Sequence, residues 1–239
     1  MVRGLPIAVC RQDDLRPVIA TAIAGSTPPL SIATINLNFL RQADSDPSVR
    51  ATLVACSLRV ADGWPVVTLA RLAGTPLPER VTGASLVPTV LTWARQAGWR
   101  VALVGGLPET REALALAGTW NDVLCGHWLP TYRAGAPLDD PDLCRELRAA
   151  GADLILVALG CPKQERWLQA NLASSGARAG IGVGGSLEFL AGVRSRAPRW
   201  VQRIRLEFAY RFLQEPRRLG SRYLGDAIYW LRLLLGLAR

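Results

Sequence analysis

Apolar and polar positions along this chain form alternating blocks. Short apolar runs are separated by longer segments in which apolar residues recur at helical spacing, and glycine or proline interrupts the pattern at most block ends. The short runs predict strands at Leu5–Cys10, Leu30–Ile35, Leu58–Ala61, Arg100–Val104, Val123–Trp128, Asp153–Leu159 and Arg178–Val183. The longer segments predict helices at Leu15–Ala24, Pro47–Ala55, Val66–Leu72, Ala84–Ala97, Pro108–Ala117, Pro141–Ala150 and Pro162–Ala173.

Strands that alternate with helices in this way indicate an α/β fold. The run Asp153–Leu159 is apolar almost throughout, as expected for a strand buried on both faces of a parallel sheet. We therefore predict a Rossmann-like, mostly parallel sheet with helices on both faces. Such sheets bind ligands at the carboxyl ends of their strands, so the residues that follow each run are the first candidates for a site.

The pattern changes near Arg194. Two amphipathic helices are predicted beyond it, one over Trp200–Gln214 and one from about Ser221 to the chain end, with Glu215 and Pro216 between them. We predict an α/β catalytic core over residues 1–193 and a basic helical appendage over residues 194–239. The appendage has eleven arginines and three acidic residues, so it carries +8 of the net charge of +9.

Three explanations fit this basic tail, namely nucleic-acid binding, docking on an anionic membrane, and solubility alone. Aromatic residues lie among the arginines on both predicted helices, and this combination favours a membrane interface. No nucleic-acid-binding motif is present, so we expect no nucleic-acid partner.

Composition restricts the class of protein further. The 239 residues are half hydrophobic, enough for one sizeable core and an appendage. No window offers about 18 uninterrupted apolar residues, and the first residues do not form a signal peptide. The five cysteines lack C-x-x-C spacing, and with one histidine they indicate free thiols in a reducing cytoplasm rather than a zinc site.

The stretch from Ser57 to Gly83 has two polar corners joined by a predicted helix. Asp62 follows the third predicted strand, and Glu79 with Arg80 follows the helix, so both corners can face one cleft. Asp62 suits a turn-forming role as well as a general base. Arg80 suits an ion pair with Glu79 as well as a ligand contact, and the residues alone leave both questions open.

Glycine or polar residues lie at the ends of the other predicted strands as well. They are Thr34 and Asn36, Gly105 and Gly106, Gly160 to Glu165, and Gly182 to Gly185. The stretch from Thr34 to Asn38 is polar at alternate positions, which suits the end of a strand that enters a site. Glycine lets backbone N–H groups approach an anion, so several such ends on one edge predict a ligand that carries phosphate. The glycine fingerprint of dinucleotide-binding proteins and the P-loop are both missing, which argues against a nucleotide-dependent oxidoreductase.

Several polar residues also have a purely structural explanation. Lys163, Gln164 and Glu165 fit a solvated first helical turn as well as they fit ligand contacts. The two D-x-D patterns, at residues 44–46 and 140–142, each precede a predicted helix, so helix capping explains them better than metal binding. His127 has no partner motif, and we expect a structural role for it.

Seven motifs in this chain resemble those of the WecG/TagA/CpsF glycosyltransferase family, and they occur in the family's order over roughly residues 30 to 223. They are T-I-N, A-D-G-W-P-V-V, E-R-V-T-G, V-A-L-V-G-G, G-C-P-K-Q-E, G-V-G-G, and A-G-V-R-S-R-A-P-R-W followed by L-E-F-A-Y-R-F-L-Q-E-P-R-R.

The resemblance implies an inverting transferase of bacterial envelope or exopolysaccharide synthesis. Such enzymes move a sugar from a UDP-sugar to a hydroxyl of a polyprenyl-diphosphate-linked sugar, peripherally at the inner face of the cell membrane. The donor sugar within the family is N-acetylmannosamine, its uronic acid or glucose. No metal and no other cofactor is implied, and the C-terminal appendage is expected to dock on the membrane and help complete the site.

The resemblance also implies roles for residues that match the motifs. Asp62 looks like the base that deprotonates the acceptor, and Thr34 and Asn36 look like polar groups that line the site. Arg80 and Gln164 look like donor or diphosphate contacts. The tail arginines that look like diphosphate contacts are Arg211, Arg218 and Arg222. The remaining expected binding residues are Gly105, Gly106, Lys163, Glu165, Gly184 and Gly185.

Three departures from the family pattern leave the donor open. Leu187-Glu188 stands where the family commonly has an aromatic residue and Asp, Phe208 stands where Trp is usual, and the neighbourhood of Asn38 differs from the common Ala-containing run. The alternative function is a non-catalytic nucleotide-sugar-binding or membrane-scaffold protein on the same fold. Oligomeric state is open, and an exposed apolar tail suits a homo-oligomer as well as lipid.

Overall fold

A computed structural model describes residues 1–133, 135–203, 207–214 and 216–236, without the side chains of residues 199, 217–219 and 221. In this part of the chain six strands form one sheet. They are β1 (Leu30–Ile35), β2 (Leu58–Ala61), β3 (Val101–Gly105), β4 (Leu124–Trp128), β5 (Leu154–Ala158) and β6 (Ala179–Gly182). Every described strand pair is parallel, in the order β2-β1-β6-β5-β3-β4, which confirms the predicted Rossmann-like sheet.

The helices cover both faces of this sheet. From the N-terminus to β6 they are α1 (Leu15–Ile23), α2 (Leu37–Ser45), α3 (Pro47–Ala55), α4 (Trp64–Leu72), α5 (Gly83–Ala97), α6 (Pro108–Ala117), α7 (Pro141–Ala149) and α8 (Lys163–Asn171). After β6 they are α9 (Ser186–Leu190), α10 (Arg199–Arg203), α11 (Glu207–Gln214) and α12 (Pro216–Leu234).

Alternate residues of each strand enter different cores. In β5, Leu154 and Leu156 pack with α1 and α5 residues on one face, whereas Ile155 and Val157 pack with α7 and α8 residues on the other. All four are fully buried. A strand buried on both sides needs apolar residues at every position, and this explains the unbroken apolar run in the sequence.

The predicted strand Leu5–Cys10 is wrong. Its residues form no regular strand, and the ladder beside β2 is limited to one bond, from the Ala8 N–H to the Arg59 carbonyl at 2.8 Å. Pro6 has no N–H to donate, and the Arg59 guanidinium occupies its carbonyl oxygen at 2.7 Å. The segment is apolar because Leu5 and Ile7 are buried, so an apolar run alone misidentified it.

Helices α2 and α9 are absent from the sequence prediction. The alternation of polar residues from Thr34 to Asn38 suggested a strand end, but Asn36 is the N-cap of α2 and accepts a hydrogen bond from the Asn38 N–H at 3.1 Å. A cap residue and a buried polar residue two positions later produce the same alternation as a strand. This error matters because α2 borders the cleft described below.

The C-terminal helices depart from the prediction in their boundaries. Within the predicted helix Trp200–Gln214 the structure has α10 and α11, and residues 204–206 lie outside the described part. The last helix, α12, begins at Pro216 instead of Ser221. In α12, Tyr229 is buried and donates from its hydroxyl to Asp44 of α2 at 2.6 Å. None of the described helices is both long and apolar enough to cross a membrane.

Gly105 at the end of β3 allows a close approach between strands. Its φ is +87°, and a Cβ there would lie 2.7 Å from the Ala158 carbonyl oxygen of β5. Gly98, after α5, has a similar φ of +72° with open space around it. Both positions strain an L residue, but only at Gly105 would a backbone atom also have to move.

We expect Gly105→Ala to destabilise the protein more than Gly98→Ala. The φ term costs about 1–2 kcal/mol at either position, and overpacking adds about 1–3 kcal/mol at Gly105 alone. Chemical denaturation of the two variants measures the difference. Equal losses of stability would show that β3 and β5 separate easily at this point.

Candidate active site

A cleft of about 730 Å³ lies at the carboxyl edge of the sheet. Five of the six strands supply a residue to its wall because parallel strands all end on this edge. These residues are Thr34 near the end of β1 and Asn36 after it, Asp62 after β2, Gly106 after β3, Gly160 after β5, and Gly184 and Gly185 after β6. Helices α2, α11 and α12 add side chains to the same wall, so the predicted rim of polar and glycine residues forms one cavity.

Asp62 lies on this wall in a fixed backbone position. Its N–H donates to the Ile35 carbonyl at 2.7 Å, which extends the β1–β2 ladder by one residue. Gly63 follows with φ +130°, so the chain turns sharply into α4. The Asp62 carboxylate accepts a hydrogen bond from the Gly83 N–H at the start of α5. The two polar corners predicted from the sequence therefore meet at Asp62.

Burial and the nearby arginines shift the pKa of Asp62 in opposite directions. Burial raises the pKa of its carboxyl to about 6, although Arg80 and Arg211 act to lower it. A carboxylate with this pKa is mostly ionised at neutral pH and is still a stronger base than an ordinary Asp. These are the properties that a general base needs.

Arg80 is close to Asp62 but lies outside the residues that line the cleft. Its guanidinium lies 5.4 Å from the centre of the Trp64 ring and donates to Glu207 of α11 at 3.1 Å. Glu79 does not pair with it and instead accepts from the Gln12 N–H at 2.9 Å. Arg80 thus connects the Asp62 corner to α11.

Gln164 lines the cleft and is held at both ends of its amide. Its Oε1 accepts from the Gly184 N–H at 3.0 Å, and its Nε2 donates to Glu165 at 2.7 Å. Gly182 has no side chain at this point, where a Cβ would lie 2.6 Å from the Gln164 amide nitrogen. Gln164 therefore fixes the glycine loop after β6, whether or not it also contacts a ligand.

Glu165 and Lys163 do not reach the cleft wall. Glu165 is fully buried, and its Oε2 has no hydrogen-bond partner in the described part of the chain. Burial raises the pKa of this carboxyl to about 7, and the bond from Gln164 acts against the rise. Glu165 supports Gln164 from behind.

Two of the glycine N–H groups that the sequence offered for phosphate are already used. Gly106 donates to the Ala158 carbonyl at 3.0 Å, and Gly184 donates to Gln164. Gly105 itself does not line the cleft. Thr34 lines it, but its hydroxyl donates to the Gly182 carbonyl at 2.9 Å. Arginine side chains are therefore the more available groups for an anion.

Among the side chains that the structure describes, three arginines line the cleft: Arg41, Arg211 and Arg222. Arg211 of α11 lies 5.0 Å from the centre of the Phe189 ring, and a Cβ on Gly185 would lie 3.6 Å from its Nη2. The side chain of Arg218 is outside the described part of the chain. Arg41 is absent from the sequence prediction because α2 was not predicted. Its spacing of three residues from Asn38 is a helical signal that could have found it.

The other polar candidates have structural roles, as predicted. Asp46 and Asp140 cap α3 and α7 by accepting from the N–H groups of Ser48 and Leu143. His127 is hydrogen-bonded through Nε2 to the Gly105 carbonyl oxygen at 2.7 Å, and burial lowers its pKa. Among the described residues no group of three or more acidic, His or Cys side chains could hold a metal ion.

Two comparisons place the chain among known proteins. The family model described as Glycosyl transferase WecG/TagA/CpsF family matches residues 1–239. A protein of Staphylococcus aureus (strain MW2) is 30% identical over 197 residues, which are 82% of this chain and 76% of that protein. Its name is N-acetylglucosaminyldiphosphoundecaprenol N-acetyl-beta-D-mannosaminyltransferase.

Glu165 makes the stability of the fold depend on pH. Its pKa is raised to about 7 in the folded protein, from an ordinary value of 4.5. The folded state therefore keeps a proton that the unfolded state loses, and stability falls as pH rises from about 4.5 to about 7. Glu165→Gln should remove this penalty while its Oε1 still accepts from Gln164.

We expect Glu165→Gln to match the wild type in thermal stability near pH 4 and to exceed it at pH 8. The upper limit is roughly 3 kcal/mol, or several degrees in Tm. Thermal unfolding of both proteins across this pH range gives the difference, and the contribution of Asp62 cancels. A difference that does not change with pH would contradict the raised pKa.

Proposed function

This chain belongs to the WecG/TagA/CpsF glycosyl transferase family, and we propose that it moves a sugar from a UDP-sugar to a hydroxyl of a polyprenyl-diphosphate-linked sugar. The observation that carries the proposal is Asp62, a half-buried carboxylate with a pKa of about 6 in a cleft that arginines also line. A base and an anion site in one cavity match the two requirements of this transfer.

The proposed reaction is a single displacement. Asp62 takes the proton of the acceptor hydroxyl as its oxygen forms a bond to the anomeric carbon of the donor. The bond from that carbon to the diphosphate breaks at the same time, and UDP leaves with the electron pair. Attack from the face opposite the leaving group inverts the anomeric configuration.

The leaving diphosphate needs positive charge, and Arg211 and Arg222 provide it on the cleft wall. We propose that this arrangement works without a metal ion. The Oδ1 of Asn36 caps α2, which leaves its amide nitrogen to orient the sugars, and Thr34 holds the β6 carbonyl of Gly182 in place.

The donor sugar is N-acetylmannosamine, its uronic acid or glucose, and the name of the S. aureus relative favours the first. The departure from the family pattern at Leu187 and Glu188 bears on the choice of donor sugar. Leu187 is a core residue, whereas Glu188 lines the cleft and its Oε2 has no partner among the described residues. The other oxygen, Oε1, lies 3.9 Å from the Arg194 guanidinium, so Oε2 is the atom that suits a hydroxyl or amide donor on the sugar.

We further propose that residues 194–239 form an appendage that docks the protein on the inner face of the cell membrane, beside a core of residues 1–193. Leu224, Ile228 and Leu231 recur at helical spacing on α12 and are about half exposed or more. Phe208 and Leu213 of α11 are exposed too. Apolar residues with arginines nearby favour an anionic lipid surface.

Asp62→Asn is expected to lower the rate of sugar transfer by about 10²–10⁴-fold, the usual contribution of a general base. The wild-type rate should fall below pH 6 as Asp62 becomes protonated. The assay is UDP release from a panel of UDP-sugars with a short-chain lipid-diphosphate-sugar acceptor.

Asp122→Asn is the matched control, since Asp122 is a surface residue paired with Arg95 outside the cleft. Normal turnover of Asp62→Asn would remove Asp62 from the base role. Binding of a UDP-sugar by the wild type without turnover across the panel would instead favour a scaffold protein.

Changing Leu224, Ile228 and Leu231 together to Ser should weaken binding to vesicles that contain phosphatidylglycerol at least about tenfold, because each Leu or Ile loses its apolar contribution. Vesicle sedimentation measures this. The control is the same change at Val54, Leu72 and Leu116, which are exposed on the core. Unchanged sedimentation, with a shift in elution volume on gel filtration, would assign the stripe to a subunit interface.

A further inference from the structure

We propose that Arg41 is a further anion-binding residue of the cleft, and that with Arg222 it forms a subsite for a diphosphate group where α2 meets α12. The inference rests on the proposed function, which already uses Arg222, and adds Arg41, a residue that neither the motifs nor the comparisons assign. Arg41 comes from the core and Arg222 from the last helix, so the subsite exists only when α12 is docked.

The guanidinium of Arg41 is held by two hydrogen bonds. Its Nε donates to Asp226 Oδ1 of α12 at 2.8 Å, and its Nη2 donates to Asn38 Oδ1 at 3.0 Å. An arginine has five N–H donors, so within the described residues most of them are still available. The side chain is a third exposed and lines the cleft.

Backbone packing also fixes the orientation of Arg41. A Cβ on Gly225 of α12 would lie 3.2 Å from its Cζ and from its Nη1. The helix therefore lies directly against the guanidinium, and a side chain at this position would require Arg41 to shift by a few tenths of an ångström. A guanidinium held by Asp226, Asn38 and the α12 backbone is oriented before a ligand arrives, which reduces the entropy cost of binding.

The charges at this corner are not balanced. Arg222 lies 3.8 Å from the second oxygen of Asp226, so two guanidinium groups share one carboxylate. Both line the cleft, whereas Asp226 itself does not. A diphosphate brings the negative charge that is missing, and its oxygens suit the paired N–H groups of arginine.

Helix α12 has a second attachment to α2 that does not involve Arg41. The Tyr229 hydroxyl donates to Asp44, which also pairs with Arg3 and with Arg50 at 2.5 Å. This cluster lies outside the cleft lining. Loss of Arg41 therefore leaves an anchor for α12, and its effect on ligand binding can be separated from undocking.

The diphosphate has two possible sources, the donor nucleotide and the lipid-linked acceptor. The test measures the Kd of the full-length protein for UDP and, separately, for farnesyl diphosphate. Arg41→Gln should weaken binding of one of them at least about tenfold, since charge-assisted hydrogen bonds to the ligand are lost. The ligand that loses affinity identifies the source.

Two control variants separate ligand contact from structural support. Asp226→Asn breaks the same ion pair but leaves Arg41 in place, so it should bind the diphosphate at least as tightly as the wild type. Arg50→Gln removes an arginine that pairs with α2 outside the cleft, and its Kd should stay within about twofold, as expected when no ligand contact is lost.

Wild-type Kd values for both ligands in Arg41→Gln would overturn the inference while leaving the proposed function intact. Equal weakening in Arg41→Gln and Asp226→Asn would overturn it as well, because Arg41 would then act only by docking α12. A wild-type protein that binds neither ligand and releases no UDP would overturn both this inference and the proposed function.

Discussion

The parallel direction of all six strands is the constraint on which the rest of the structure depends. Parallel strands end on the same edge of the sheet, so residues far apart in sequence are brought together there. Ile35 pairs with Ala61, and Ala33 and Val157 both pair with Gly182. The chain segments that leave this edge after five of the six described strands add residues to the same cleft, although these residues are far apart in sequence.

The basic tail is joined to the core by its few acidic residues. Glu207 of α11 accepts from Arg80, and Asp226 of α12 accepts from Arg41. In both bonds the donor is an arginine of the core and the acceptor is a carboxylate of the tail. Three tail arginines also form ion pairs, Arg194 with Glu188, Arg196 with Glu207 and Arg222 with Asp226. Arg211 and Arg222 line the cleft.

The sheet was predictable from the sequence because a strand buried on both faces must be apolar at every position, and β5 shows this clearly. The prediction of a strand at Leu5–Cys10 was wrong because a coil segment whose side chains are buried is also apolar, as Ile7 shows. Motifs located Asp62 and Gln164 because Asp62 directly follows β2 and Gln164 lies in the first turn of α8, the helix that follows β5. Arg41 was not predictable in the same way, since its place depends on a helix whose N-cap, Asn36, imitates a strand pattern.

The sequence also gave no indication of which polar groups the fold itself would use. Thr34, Gln164 and the N–H groups of Gly106 and Gly184 all lie in the strand-end motifs, yet each is bonded within the protein. Hydrogen-bond partners at this edge come from residues distant in sequence. A motif specifies which groups reach the edge, and only the fold shows which of them remain free for a ligand.

The charge of Asp62 depends on the position of α11. That helix carries Arg211, which lowers the pKa of Asp62, and Glu207, which raises it. Glu207 also pairs with Arg80, the other cation that lowers this pKa. Movement of α11 would therefore displace Arg211 and Glu207 and break the ion pair of Arg80, and all three of these groups shift the pKa of Asp62. The position of the tail helix and the basicity of Asp62 are coupled in this way, so in the proposed reaction an acceptor that positions α11 also sets the protonation of the base that takes its proton.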